Sequence, residues 1–221
     1  MAQRSMVVAA TLGLVASAFV AFNGDESAFH IAHRQPMKLA AMEGLYVGQD
    51  KAPIVAMGMI NMNKKPGDDL PAFYQEVKVP GMLSLLANRD FNSFVPGIND
   101  LVYGNPARGI VGAQQRMVSG KIAVAELGHY KTAKQNGDAA TAASALALFN
   151  QNKEDLGYGY LNAPEEAAPP VGLVFYAFHI MVGLGTFFPL IFLAVLFFAF
   201  KGTLDSQRWL WWVCFGSLFL G

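Results

Sequence analysis

Polarity divides the chain into three apolar stretches around one long polar middle. Met6–Phe22 is 17 residues without Asp, Glu, Lys or Arg. Val171–Phe200 is 30 residues with none of these and a single histidine, His179. Trp209–Gly221 adds 13 more. A membrane span needs about 20 apolar residues, with about 17 as the lower limit. The second stretch therefore reads as a span that tilts or projects beyond the bilayer. The first fits two readings. It can be a span, or a secretory signal peptide cleaved near Ala21, because Arg4, an apolar run and Ala18-Phe19-Val20-Ala21 meet that pattern as well. The third is too short to cross. Trp209, Trp211 and Trp212 form an interfacial belt at its start, so it reads as a transmembrane helix cut short, with an interfacial tail as the alternative.

Residues 24–170 hold 28 of the 32 charged side chains and are aqueous. Turn formers recur there: Lys65-Pro66-Gly67-Asp68, Val79-Pro80-Gly81, Val95-Pro96-Gly97 and Gly104-Asn105-Pro106. The first half reads as irregular. The second reads as helical, with an apolar stripe at Val118, Ile122 and Ala125 and an Ala-rich run from Ala139 to Phe149. Arg4, Lys201 and Arg208 flank the spans in short segments, which places them on the cytoplasmic side and the long middle outside. The expected organisation is a transmembrane helix over 1–23, an extracytoplasmic loop over 24–170, a transmembrane helix over 171–200, a cytoplasmic link over 201–208 and the start of a truncated helix over 209–221. The fold class is all-α integral membrane, with a long, partly helical outer loop.

Composition narrows the function. Charged residues are 14% of the chain against roughly a quarter in soluble domains, and the net charge is zero. No nucleic-acid partner is expected, since that needs a basic excess. One cysteine excludes a disulfide framework or a Cys-rich metal centre.

Three places could carry chemistry. Gly24-Asp25-Glu26-Ser27 stands where the first span ends, either as a solvated turn or cap or as proton-accepting carboxylates. Pro36–Glu43 predicts a short helix with Pro in its first turn and a stripe of Leu39, Met42 and Tyr46. Lys38 and Glu43 are five apart, about 140° around that helix, and are either two exposed charges or the two flanks of a ligand. His179 and Met181 lie early in the second span, where an ionisable group is costly. Both residue types ligate low-spin haem iron, but two residues apart, about 200° around a helix, they cannot share one iron. Gly185 leaves room for a flat macrocycle one turn from Met181, and core packing is the competing reading. His30 and His33 read as surface residues.

Taken in order, Gly24-Asp25-Glu26-Ser27, Lys38-Leu39-Ala40-Ala41-Met42-Glu43, Asp155-Leu156-Gly157-Tyr158-Gly159 and Phe178-His179-Ile180-Met181-Val182 resemble subunit I of the cytochrome bd ubiquinol oxidase. The spacing resembles the branch with a long quinol-binding loop. The resemblance implies a retained first helix, an internal fragment of a longer subunit, and a bacterial inner-membrane, multi-pass location. It implies a respiratory quinol:oxygen oxidoreductase, with the piece inactive alone. Lys38 and Glu43 match quinol-site residues, with Glu43 as base and Lys38 holding the quinol oxygen, and Asp25 matches an acidic residue at the loop's start. Met181 matches the axial ligand of a low-spin haem b, and His179 stands where better-known members have Arg near the haem. A further haem b and a haem d are implied in the missing parts of subunit I. The implied partners are ubiquinol, membrane lipid, those missing parts and subunit II. The competing reading is a secreted domain tethered to the membrane, with a cleaved signal peptide and no redox role.

Overall fold

A computed structural model describes residues 2–217 and 219–220. Met1 of the first expected segment, and residues 218 and 221 of the last, lie outside the described residues. The chain is mostly helical and divides into two compact units.

The first unit takes the residues up to His30 and those from Tyr176 onward. It contains most of helix α1 (Ala2–Arg34), most of helix α7 (Val171–Phe200), a 3₁₀ turn (Leu204–Ser206) and helix α8 (Arg208–Ser217). Two of these helices, α1 and α7, are long and apolar enough to cross a membrane. Their contact is built on a small residue, as in membrane helix pairs generally. A methyl group on Gly13 would come within 2.6 Å of the Phe192 ring. Around this point Ala10, Ile191, Val195, Leu204 and Leu210 form a buried cluster. The hydroxyls of Thr11, Ser17 and Thr186 each donate to the carbonyl four residues earlier, at 2.8, 2.8 and 3.0 Å. That satisfies them without water. Pro189 sits inside α7 and has no N–H, so the Gly185 carbonyl loses its helical donor.

Helix α1 does not end at residue 23. Gly24-Asp25-Glu26-Ser27 lies within it, so the motif is neither a turn nor a cap. Asp25 is exposed there, and Glu26 reaches the His30 ring one turn on, at 3.4 Å.

The second unit, Ile31–Phe175, is the polar one. Helix α2 (Pro36–Glu43) forms where the sequence predicts it, with Pro36 in its first turn. A short strand β1 (Gln49–Asp50) pairs antiparallel with β4 (Phe94–Val95). Strands β2 (Ile54–Ile60) and β3 (Phe73–Val79) form a second antiparallel pair with two register shifts. Helices α3 (Met82–Asn88), α4 (Ile98–Tyr103), α5 (Ala113–Gln135) and α6 (Ala139–Asn152) complete the unit, with 3₁₀ turns at Pro106–Arg108, Lys153–Tyr160 and Pro164–Ala167. The first half is thus more ordered than its turn-rich sequence suggests. Leu39, Ala40, Ala41, Tyr46, Val55, Ile60, Ile98, Val102 and Phe175 are buried in its core.

The buried face of α5 is not the expected one. Val118 and Ile122 are exposed, whereas Met117, Gly120 and Ala123 are buried. The cause is backbone-to-backbone packing. Any side chain at Gly120 would run into the Asp155 carbonyl and the Gly159 N–H, and one at Gly159 would strike the Gly120 carbonyl. Arg116 binds Asp155 at 3.2 Å and lies 5.6 Å over the Tyr158 ring. The Asp155–Gly159 motif is therefore the seam of this packing. Asp138 caps α6 by accepting from the Thr141 N–H at 3.1 Å and its hydroxyl at 2.6 Å, which holds its carboxyl below the usual range.

Candidate functional site

Helix α2 stops at Gly44, whose φ of 62° is in the left-handed region. The Leu45 N–H then closes onto the Ala40 carbonyl at 2.8 Å. A side chain at Gly44 would come within 2.6 Å of the Phe73 ring, so glycine lets β3 pack against the helix end. Phe73 in turn meets Phe175 edge-on, with ring centres 5.3 Å apart. This packing sets Glu43, the last residue of α2, against strand β2. It is only 3% exposed, and its Oε2 accepts the Val55 N–H at 3.3 Å. A buried carboxylate is expensive unless it is hydrogen-bonded, and the Val55 N–H of the strand supplies such a bond.

Glu43 lines a cleft of about 560 Å³ between the end of α2, the β2–β3 pair and their connection. Tyr46 forms another part of the wall. Its hydroxyl donates to the Lys64 carbonyl at 3.0 Å, and burial, aided by the Asp68 carboxylate, pushes its phenol up. The Lys64 ammonium lies 4.8 Å over the same ring. Lys78 also lines the cleft and pairs with Glu76 at 2.6 Å.

The residues that the sequence proposes are divided between the two units. Glu43 is buried in the cleft wall, but Lys38 is exposed on α2 and does not line the cleft. Asp25, His179 and Met181 belong to the other unit. Sequence reasoning missed Lys64, Tyr46 and Phe73 as cleft residues. Only Tyr46 had a signal, as a member of the apolar stripe of α2, and it reads there as packing.

On α7, Met181 is 60% exposed, and a side chain at Gly183 or Gly185 would meet nothing within 4 Å. His179 is half-buried, with its ring edge-on to Phe178 at 5.6 Å. Gly185 lies one turn from Met181 on the same face, whereas Gly183 shares the face of His179, so the accessible thioether has one open glycine beside it, which fits a haem ligand. Among the described residues no group of three or more His, Cys, Asp or Glu side chains could hold a free metal ion.

The family described as cytochrome bd terminal oxidase subunit I matches residues 1–221. The chain is 27% identical over 225 aligned positions to the cytochrome bd-II ubiquinol oxidase subunit 1 of Escherichia coli (strain K12), covering 94% of the chain and 40% of that protein. It is 34% identical over 100 positions to the cytochrome bd ubiquinol oxidase subunit 1 of Bacillus subtilis (strain 168), covering 45% of the chain and 20% of that protein. The chain thus spans 40% or less of the length of these curated relatives.

Proposed function

Because the chain belongs to the cytochrome bd terminal oxidase subunit I family, we propose that it forms the electron-entry part of a membrane oxidase that oxidises ubiquinol at the outer face and reduces oxygen elsewhere in the complex. The supporting observation is the position of Glu43, a buried and hydrogen-bonded carboxylate on the wall of a cleft in the polar unit.

Oxidation of a quinol releases two protons and two electrons. Glu43 takes one phenolic proton as the first O–H bond breaks, releases it outward, and then takes the second, as the two electrons leave one at a time. The Val55 N–H holds the carboxylate in place until then. Lys38, exposed on α2, reaches a second oxygen only of a substrate that extends beyond the cleft. Asp25, exposed on α1, passes protons to the outer medium. Met181 would hold the iron of a low-spin haem b, and His179, two residues earlier on the same helix, would stand near it. When bound, that haem supplies a one-electron acceptor whose potential a thioether ligand raises. The rest of subunit I would hold a further haem b and a haem d, subunit II would complete the complex, and lipid would cover the remaining apolar faces of α1 and α7.

The test is Glu43→Gln in the assembled oxidase. Turnover with a short-chain ubiquinol should fall by about 10²-fold or more, while the haem spectrum stays unchanged. Wild-type turnover would overturn the base assignment.

A further inference from the structure

We propose that the cleft where α1 begins and α7 ends binds the headgroup of an anionic phospholipid, with Arg4 as the phosphate anchor. This rests on the reading of α1 and α7 as membrane spans, and not on the Glu43 cleft. The cleft holds about 410 Å³. From α1 come Gln3, Arg4 and Val7, and from the end of α7 and the turn after it come Ala199, Gly202 and Leu204. All of them belong to the apolar unit.

The lining changes from polar to apolar with depth. Gln3 and Val7 are four apart, so they share one face of α1, with Val7 about 6 Å further along the axis. The charge-free run begins at Met6, so that step leads from the end of the span into hydrocarbon. On α7 the apolar run ends at Phe200, which sets Ala199 at a matching boundary. The helix closes at Gly202, with a φ of 68°, where its N–H reaches the Ala199 carbonyl at 3.1 Å. The turn that follows brings in Leu204, which is buried. A polar mouth over an apolar floor matches a glycerophosphate above its acyl chains.

Charge selects the kind of lipid. Arg4 makes no ion pair among the described residues. Lys201 and Arg208 stand in the link after α7 against one acid, Asp205, so the short segments at this end carry a positive excess. Lys201 lies 4.6 Å over the Phe197 ring and does not line the cleft, which leaves Arg4 as its cation. A guanidinium offers paired N–H donors that match two phosphate oxygens. Basic pockets between membrane helices attract anionic headgroups for this reason. Free phosphate has the same oxygens, but only a lipid also covers Val7 and Ala199.

The experiment uses the assembled oxidase, stripped of bound lipid in a neutral detergent. Phenylglyoxal modifies accessible arginines, and peptide mass spectrometry reads each one. Dioctanoyl phosphatidylglycerol should slow modification of Arg4 about tenfold, as expected for a bidentate phosphate contact. Arg208, which does not line the cleft, should be unaffected. Dioctanoyl phosphatidylcholine and inorganic phosphate, at the same concentration, should protect Arg4 far less. Equal protection by phosphatidylcholine overturns the proposal in favour of a general lipid contact, and equal protection by phosphate in favour of a simple anion site. Equal slowing at Arg208 overturns it too. So does an Arg4 that resists phenylglyoxal before lipid is added, because another segment of the complex then fills the cleft. Arg4→Gln should weaken phosphatidylglycerol binding in native mass spectrometry about tenfold, and Arg4→Lys should recover part of it. An unchanged affinity in Arg4→Gln refutes the anchor. Should that variant fail to assemble, the protection of wild-type Arg4 decides alone.

Discussion

Glu43 and Met181 are the residues on which the two halves of the proposed electron entry depend, and their surroundings differ sharply. Glu43 is 3% exposed, backed by a strand N–H and enclosed by walls that the polar unit builds from its own residues. Met181 is 60% exposed, on a helix whose neighbouring glycines face open space. A proton acceptor must be held still and shielded from water, and a single folded unit can do that alone. A haem would draw ligands from more than this helix, so in the proposed entry the polar unit carries its pocket within itself, whereas α7 offers one exposed face.

The contrast predicts its own failures. The largest effect falls on the surface. Met181→Leu in the assembled oxidase should abolish the low-spin haem signal, read by optical and EPR spectroscopy, and an unaltered signal refutes the ligand role. Next comes Glu43→Asp, which keeps the charge but shortens the reach. It should lower turnover about tenfold or more with full haem content, because a base must come within hydrogen-bond distance of the proton it takes.

A pair of glycine substitutions sharpens the comparison. Gly44→Ala forces a side chain into the left-handed region and against Phe73, so it should destabilise the polar unit by about 2–4 kcal/mol, seen as earlier thermal unfolding or protease sensitivity. Gly185→Ala meets nothing in this chain and should leave that stability unchanged while perturbing the haem spectrum. Equal stability losses would show that α7 is as closely packed as the cleft. The smallest effect is alkaline. The Tyr46 phenol is raised in the folded state, so the folded chain keeps its proton where the unfolded chain has begun to lose it. Stability is then full below the ordinary phenol value of 10.0 and is lost as pH rises through the folded value. Tyr46→Phe should flatten that alkaline decline in a melting-temperature series, and an unchanged slope counts against it.

What the sequence reveals follows from the range of the forces involved. Helix α7 occupies the same 171–200 stretch that composition marks out, because an unbroken apolar run needs no tertiary partner to be legible. Helix α2 is legible from Pro36 and its stripe. The β2–β3 pair is not. Ile54–Ile60 is an apolar run interrupted by Gly58, and its partner follows only after a 12-residue connection, too long for a hairpin turn signal. Helix α1 runs through Asp25 and Glu26 because charged residues outside hydrocarbon do not stop a helix. On α5 the stripe of large residues faces outward, since its partner is a backbone that admits only glycine. The site follows the same rule. Spacing alone leaves Glu43 as either an exposed charge or one flank of a ligand, and only the family resemblance marks it, because its burial depends on β2; Lys64 reaches its wall only through the fold of a connection 18 residues beyond Tyr46.

Pro189 has a consequence for biogenesis. In hydrocarbon, a peptide oxygen without a donor costs several kcal/mol, and the Gly185 carbonyl is deprived of its helical one. A neighbouring helix that brings an N–H or O–H to that depth is rewarded for docking there. Gly185 lies one turn past Met181, so a helix that brings such a donor would dock at nearly the same height as the thioether.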